Sequence, residues 1–87
     1  MISLNTKGIY SVYDKKAGIY LNPFVESSDG TAIRAMQDIV QNKEHPFARH
    51  ASDFQLVKIG NFSDGSGEIS KVDPEPLIEM SKLLGDK

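Results

Sequence analysis

The stretch that decides the fold runs Lys7-Gly8-Ile9-Tyr10-Ser11-Val12-Tyr13-Asp14-Lys15-Lys16-Ala17-Gly18-Ile19-Tyr20-Leu21-Asn22-Pro23. Lys7 to Asp14 is dense in β-branched and aromatic side chains, which suit a pleated, half-buried surface. Lys15 to Gly18 is polar and ends in a glycine free to take positive φ; Ile19, Tyr20 and Leu21 then resume the apolar pattern. The expected element is a β-hairpin. It stops at Asn22-Pro23, because proline has no N–H to give a ladder, and Phe24 and Val25 lead the chain inward.

After the hairpin, Ser28 is the expected helix N-cap, and Asp29 sits favourably in the positive first turn. Ala32, Ile33, Met36, Ile39 and Val40 recur at helical spacing as one apolar stripe, while Arg34, Gln37, Asp38 and Gln41 face away. Pro46 puts the helix end near Asn42 or Lys43. Lys43 to Ser52 reads as a polar connection anchored by Phe47. Asp53 to Phe62 reads as a central strand, either apolar on both faces or bulged at Gly60. Asp64-Gly65-Ser66-Gly67 is a turn, and Glu68 to Val72 a short returning strand. Asp73-Pro74-Glu75-Pro76 breaks the chain, and Pro76 opens a final helix carrying Leu77, Ile78, Met80, Leu83 and Leu84, with Gly85 as its C-cap. The expected class is α+β, in the order β-β-α-β-β-α: a mostly antiparallel four-stranded sheet of two hairpins, covered on one face by the long helix. Residues 1–72 form one domain. Residues 73–87 are a C-terminal segment, a short helix or a flexible tail.

Composition narrows the chemistry. Eighty-seven residues make one small domain, and a chain of this size hides only about 60–65% of its unfolded surface, so a second copy is expected to help bury the rest. Ten Lys and Arg against twelve Asp and Glu give a net charge of -2, without the basic excess of a dedicated duplex binder. No cysteine is present, which removes disulfides, thiolate metal sites and thiol nucleophiles, and fits a reducing compartment. No apolar run approaches the ~18 residues of a membrane span, and Met1 to Leu4 is too short for a signal-peptide core. No membrane association or export is expected.

Reactive motifs are weak. Gly65-Ser66-Gly67 lacks both the third glycine of a dinucleotide loop and the Gly-Lys-Ser/Thr of a P-loop. Asp64, Ser66 and Glu68 alternate like calcium ligands but are too few. His45 and His50 are five apart around Pro46, which fits neither a helical metal pair nor a finger. No serine lies in a nucleophile elbow, and Asp73, Glu75 and Glu79 read as ordinary partners of a helix start. No catalytic residue, metal or cofactor is expected. What remains is a basic and aromatic set around the first hairpin: Lys7, Tyr10, Tyr13, Lys15, Lys16 and Tyr20. Such rings stack on unpaired bases and such lysines engage phosphates. The plainer account is cross-strand packing of the tyrosines beside a solvated turn.

Residues 10–18, Tyr-Ser-Val-Tyr-Asp-Lys-Lys-Ala-Gly, followed by Pro23-Phe24-Val25 and Ala32-Ile33-Arg34, resemble the small nonstructural protein of gokushovirus-type microviruses, which are single-stranded DNA phages. Asp53 to Phe62 and Gly67-Glu68-Ile69 resemble the second hairpin of the same family, in the same order. The resemblance implies a phage-encoded, non-enzymatic, non-capsid protein of the infected host's cytoplasm. It implies DNA binding, with single-stranded DNA the expected ligand, and a role in switching from double-stranded replication to single-stranded genome synthesis and packaging. Tyr10, Tyr13, Lys15 and Lys16 match the family's strongest motif; Arg34 and Lys58 match more weakly. With Lys7 these are the expected nucleic-acid contacts, doubled in a homodimer. A different class of function is a protein-interaction module that meets a phage replication initiator, a procapsid or a host factor through its sheet face or Leu77 to Leu84.

Overall fold

The computed structural model describes residues 6–84. β1 (Thr6–Asp14) is the spine of an antiparallel sheet, flanked along its whole length by β4 (Phe54–Ser63). Its other edge is shared by two short strands, β2 (Ile19–Tyr20) and β3 (Phe24–Glu26). β5 (Ile69–Glu79) closes the far side against β4. β2 and β3 behave as one strand broken at Asn22-Pro23. Between them the Leu21 N–H donates to the Val12 carbonyl at 2.8 Å, and the buried Ser11 hydroxyl donates to the Leu21 carbonyl at 2.6 Å.

The expected α+β class is found, with a mostly antiparallel sheet, but with five strands instead of four. Phe24 and Val25 supply the extra one, pairing with Tyr10 and Ile9. β4 is central as expected, and its register slips next to Gly60, so that Ile59 is the unpaired residue.

The expected C-terminal helix is corrected. Residues 73–79 continue β5, and only Met80–Leu83 turn, as a single 3₁₀ segment. Two prolines at alternate positions explain this. Each pushes its predecessor, Asp73 or Glu75, into extended geometry, and an edge strand tolerates their missing N–H groups. Cross-strand pairing of Ile78 with Leu56 then competes successfully with a short helix. The Gly85 C-cap lies outside the described residues.

α1 (Asp29–Val40) forms where the apolar stripe predicts it. Ser28 and Thr31 make a reciprocal capping box, the Thr31 N–H donating to Ser28 Oγ at 3.2 Å and the Ser28 N–H to Thr31 Oγ1 at 3.1 Å. Ala32, Met36 and Val40 are buried against Tyr10, Val12, Leu56, Met80 and Leu83, which together make the main core. The connection holds a four-residue helix, α2 (Pro46–Arg49), capped by His45 Nδ1, which accepts from the Phe47 N–H at 3.1 Å. Phe47 packs on Phe54 with ring centroids 4.8 Å apart. No helix among the described residues is long and apolar enough to cross a membrane.

Tyr10 fastens the helix to the sheet. It is 1% exposed, and its hydroxyl donates to Asp29 Oδ1 at 2.6 Å. Its ring lies over Gly8, where an added Cβ would collide with the phenol oxygen and ring. Burial, then the hydrogen bond to Asp29, then the charges of Asp29, Glu26 and Glu75 hold its pKa well above the ordinary phenol value. Tyr10→Phe is expected to cost about 1.5–3 kcal/mol in urea denaturation, the range for a hydrogen bond to a charged group. Because the folded pKa is raised, the stabilisation is complete below about pH 10 and lost as pH rises from there towards the folded value; alkaline unfolding of Tyr10→Phe should therefore lack that component. Gly8→Ala forces the ring aside, and a loss of about 1–3 kcal/mol is expected by the same assay.

Candidate nucleic-acid interface

Antiparallel partners share a face of the sheet, so the register separates the side chains. Gly8, Tyr10, Val12 and Asp14 point to the helix side with Leu56 and Lys58. Lys7, Ile9, Ser11 and Tyr13 point the other way. There they meet Phe62, Val57 and Gln55 of β4, then Ile69, Lys71, Pro76 and Glu79 of β5. Every helical segment packs on the first side. Among the described residues none covers the second, which is an open face.

This face is largely apolar. Val57, only 2% exposed yet outside the main core, is its floor, opposite Ser11 and Pro76. Tyr13 and Tyr20 are cross-strand partners with ring centroids 4.7 Å apart at an interplanar angle of 46°. Tyr20 remains 46% exposed and Val25 45% exposed, and Ile69, at 69%, is the most exposed of the large apolar side chains. Cations stand at both ends of the face. Lys7 reaches Asp64 at 2.5 Å, and Lys15 reaches Glu79 at 3.0 Å. The hydrogen bond from Lys15, followed by its charge, holds the Glu79 carboxyl below the usual carboxylate range. The pair therefore contributes above the ordinary glutamate pKa and weakens as pH falls through the lowered one. Both pairs are solvent-exposed, where such contacts add little to stability, so both ammonium groups are cheaply released to another anion.

The expected contact residues divide. Lys7, Tyr13 and Lys15 lie on the open face, and Lys16 is exposed at the adjoining turn, its ammonium group without an ion-pair partner among the described residues. Tyr10 does not join them: it is entombed, and its phenol is committed to Asp29. A strand alternates sides at each residue, so Tyr10 and Tyr13, three apart, must face opposite ways. Lys58 lies on the helix side opposite Glu75, and Arg34 projects from the outer surface of α1, so neither reaches the open face. Phe62, Lys71 and Ile69 were missed by the sequence reading, because their side depends on the slip at Ile59. The rows Lys7–Phe62–Ile69 and Ile9–Gly60–Lys71 bring them to this face.

Replacing Tyr13 and Tyr20 by Ala, singly and together, should give a coupling energy of about 0.5–1.5 kcal/mol in a double-mutant denaturation cycle, the range for an aromatic pair beyond its burial.

The family model described as Phage ORF5 protein matches residues 7–83. No curated protein and no solved structure matches the chain.

Proposed function

Since the chain belongs to the Phage ORF5 protein family, we propose that it is a nonstructural accessory protein that binds single-stranded DNA on its open sheet face. The role is that of the microvirus protein it resembles, in the switch from double-stranded replication to single-stranded genome synthesis and packaging in the host cytoplasm. The observation that carries the reading is the Tyr13–Tyr20 pair on an uncovered antiparallel sheet with lysines at its margins. Exposed rings on a sheet are stacking platforms for unpaired bases, whereas a base pair inside a duplex offers no free ring face. The binding set is Tyr13, Tyr20 and Phe62 for bases, with Lys7, Lys15, Lys16 and Lys71 for phosphates. The proposed activity is binding, without catalysis, cofactor or metal.

Net charge -2 makes the affinity dependent on these few lysines. Binding to a fluorescent single-stranded oligonucleotide should weaken steeply with salt, each lost phosphate contact reducing the log–log slope by about 0.7. Tyr13→Ala/Tyr20→Ala should lose about 1–3 kcal/mol for each base unstacked, with its far-UV spectrum unchanged. Equal affinities for this variant and the wild type would remove the open face from the mechanism.

A second reading rests on the aliphatic part of the same face. Val25 and Ile69 are exposed without serving an electrostatic role, and two of the marginal lysines are already in ion pairs. These features suit a protein partner, such as a replication initiator, a procapsid, a host factor or a second copy forming a homodimer. On that reading Ile69→Lys abolishes a complex seen by sedimentation velocity and leaves oligonucleotide titrations flat.

A further inference from the structure

Behind the β1–β2 turn, on the helix side of the sheet end, lies a cavity of about 300 Å³ lined by Asp14, Lys16, Ala17, His50, Asp53 and Phe54. This is the lower end of the range for ligand pockets. Its walls are built by backbone contacts. The Asp14 Oδ1 accepts from the N–H groups of Lys16 and Ala17 at 3.0 Å each, the Gly18 N–H donates to the Asp14 carbonyl at 2.7 Å, and the Lys15 N–H donates to the Asp53 carbonyl at 2.8 Å. Gly18 takes φ of 74°, which lets the turn close. Phe54, held at 4.8 Å by Phe47, gives an apolar wall. The side chains of Lys16, His50 and Asp53 have no hydrogen-bond or ion-pair partner among the described residues, and Asp14 keeps one carboxylate oxygen free.

We propose that this cavity takes one unpaired nucleobase bearing an exocyclic amino group and discriminates against thymine. The inference rests on the proposed binding of single-stranded DNA and deepens it. Tyr13 and Asp14 are consecutive residues on opposite faces, so a strand stacked on Tyr13 and Tyr20 passes its next nucleotide over the Lys15–Lys16 turn into the pocket. Ionised carboxylates only accept hydrogen bonds. They therefore match the amino edge of cytosine, the pairing expected of Asp with cytosine N4. Thymine presents carbonyl oxygens on both sides of its single donor, which two carboxylates repel. Phe54 supplies the stacking surface and Lys16 the phosphate contact.

The test measures the full chain binding dC and dT homopolymers by fluorescence anisotropy, with amide shifts followed by NMR. The wild type should favour dC by about tenfold, within the range for one well-made base contact, and dC should shift the amides of Ala17, His50 and Asp53. Asp53→Asn keeps the shape but adds an N–H donor suited to thymine carbonyls, so the preference should fall or invert while Tyr13→Ala/Tyr20→Ala still weakens both polymers. Equal dC and dT affinities in the wild type, or a preference untouched by Asp53→Asn, overturn the pocket and leave the platform standing. Absence of binding to either polymer overturns both.

Discussion

Tyr10 is the joint on which the domain is assembled. Its ring occupies the space over Gly8 and its hydroxyl ends on Asp29, in the first turn of α1. One side chain thus ties the spine strand to the start of the helix that covers it. The contact is apolar along the ring and charge-assisted at the tip, a combination available to tyrosine and not to phenylalanine. The capping box at Ser28 and Thr31 sets the helix start, and that start puts Asp29 within reach. If the helix entered a turn later, the phenol would be buried without an acceptor, at a cost comparable to the hydrogen bond it now makes.

With the helix committed to one side, all the secondary packing follows it. α2, the 3₁₀ segment at Met80–Leu83 and the Phe47–Phe54 contact all gather there. The opposite face keeps only what cross-strand neighbours can shield, which is enough for Val57 and Ser11 and insufficient for Tyr20, Val25 and Ile69. The sheet edges are poor places for a partner strand. One is broken at Asn22-Pro23, and the other carries Pro74 and Pro76 among its register irregularities. Broken, proline-bearing edges resist strand addition. The face, not the edge, is therefore the surface to which the proposed binding is assigned.

The electrostatics of that face differ from those of the whole chain. The protein is acidic overall, and two of the lysines around the open face, Lys7 and Lys15, are paired with carboxylates at the surface and at hydrogen-bonding distance. Exposed pairs are weakly held and screened by salt. They lower the standing positive potential without removing the cations. On the proposed reading, such a surface would attract a polyanion less strongly at long range than an unpaired basic patch, and would rely more on contact made by the rings.

Much of the architecture is written locally. The two glycine turns, the capped helix with its stripe and the central strand with its irregularity near Gly60 each depend on neighbours a few residues away, and were legible for that reason. The expectation that Tyr10 and Tyr13 act together ignored a local rule, since a spacing of three in a strand divides two side chains between faces. Which of the two tyrosines the helix covers was decided only by tertiary packing, because α1 meets the side holding Val12 and Leu56. The extension of β5 through two prolines was likewise decided by pairing with β4, which a local reading of Pro76 as a helix start cannot weigh. The union of Lys7, Phe62 and Ile69 in one row, and of Asp14 with His50 and Asp53 around one cavity, joins residues far apart in the chain. Strand register and a one-residue bulge create those neighbourhoods, and neither is encoded at any single position.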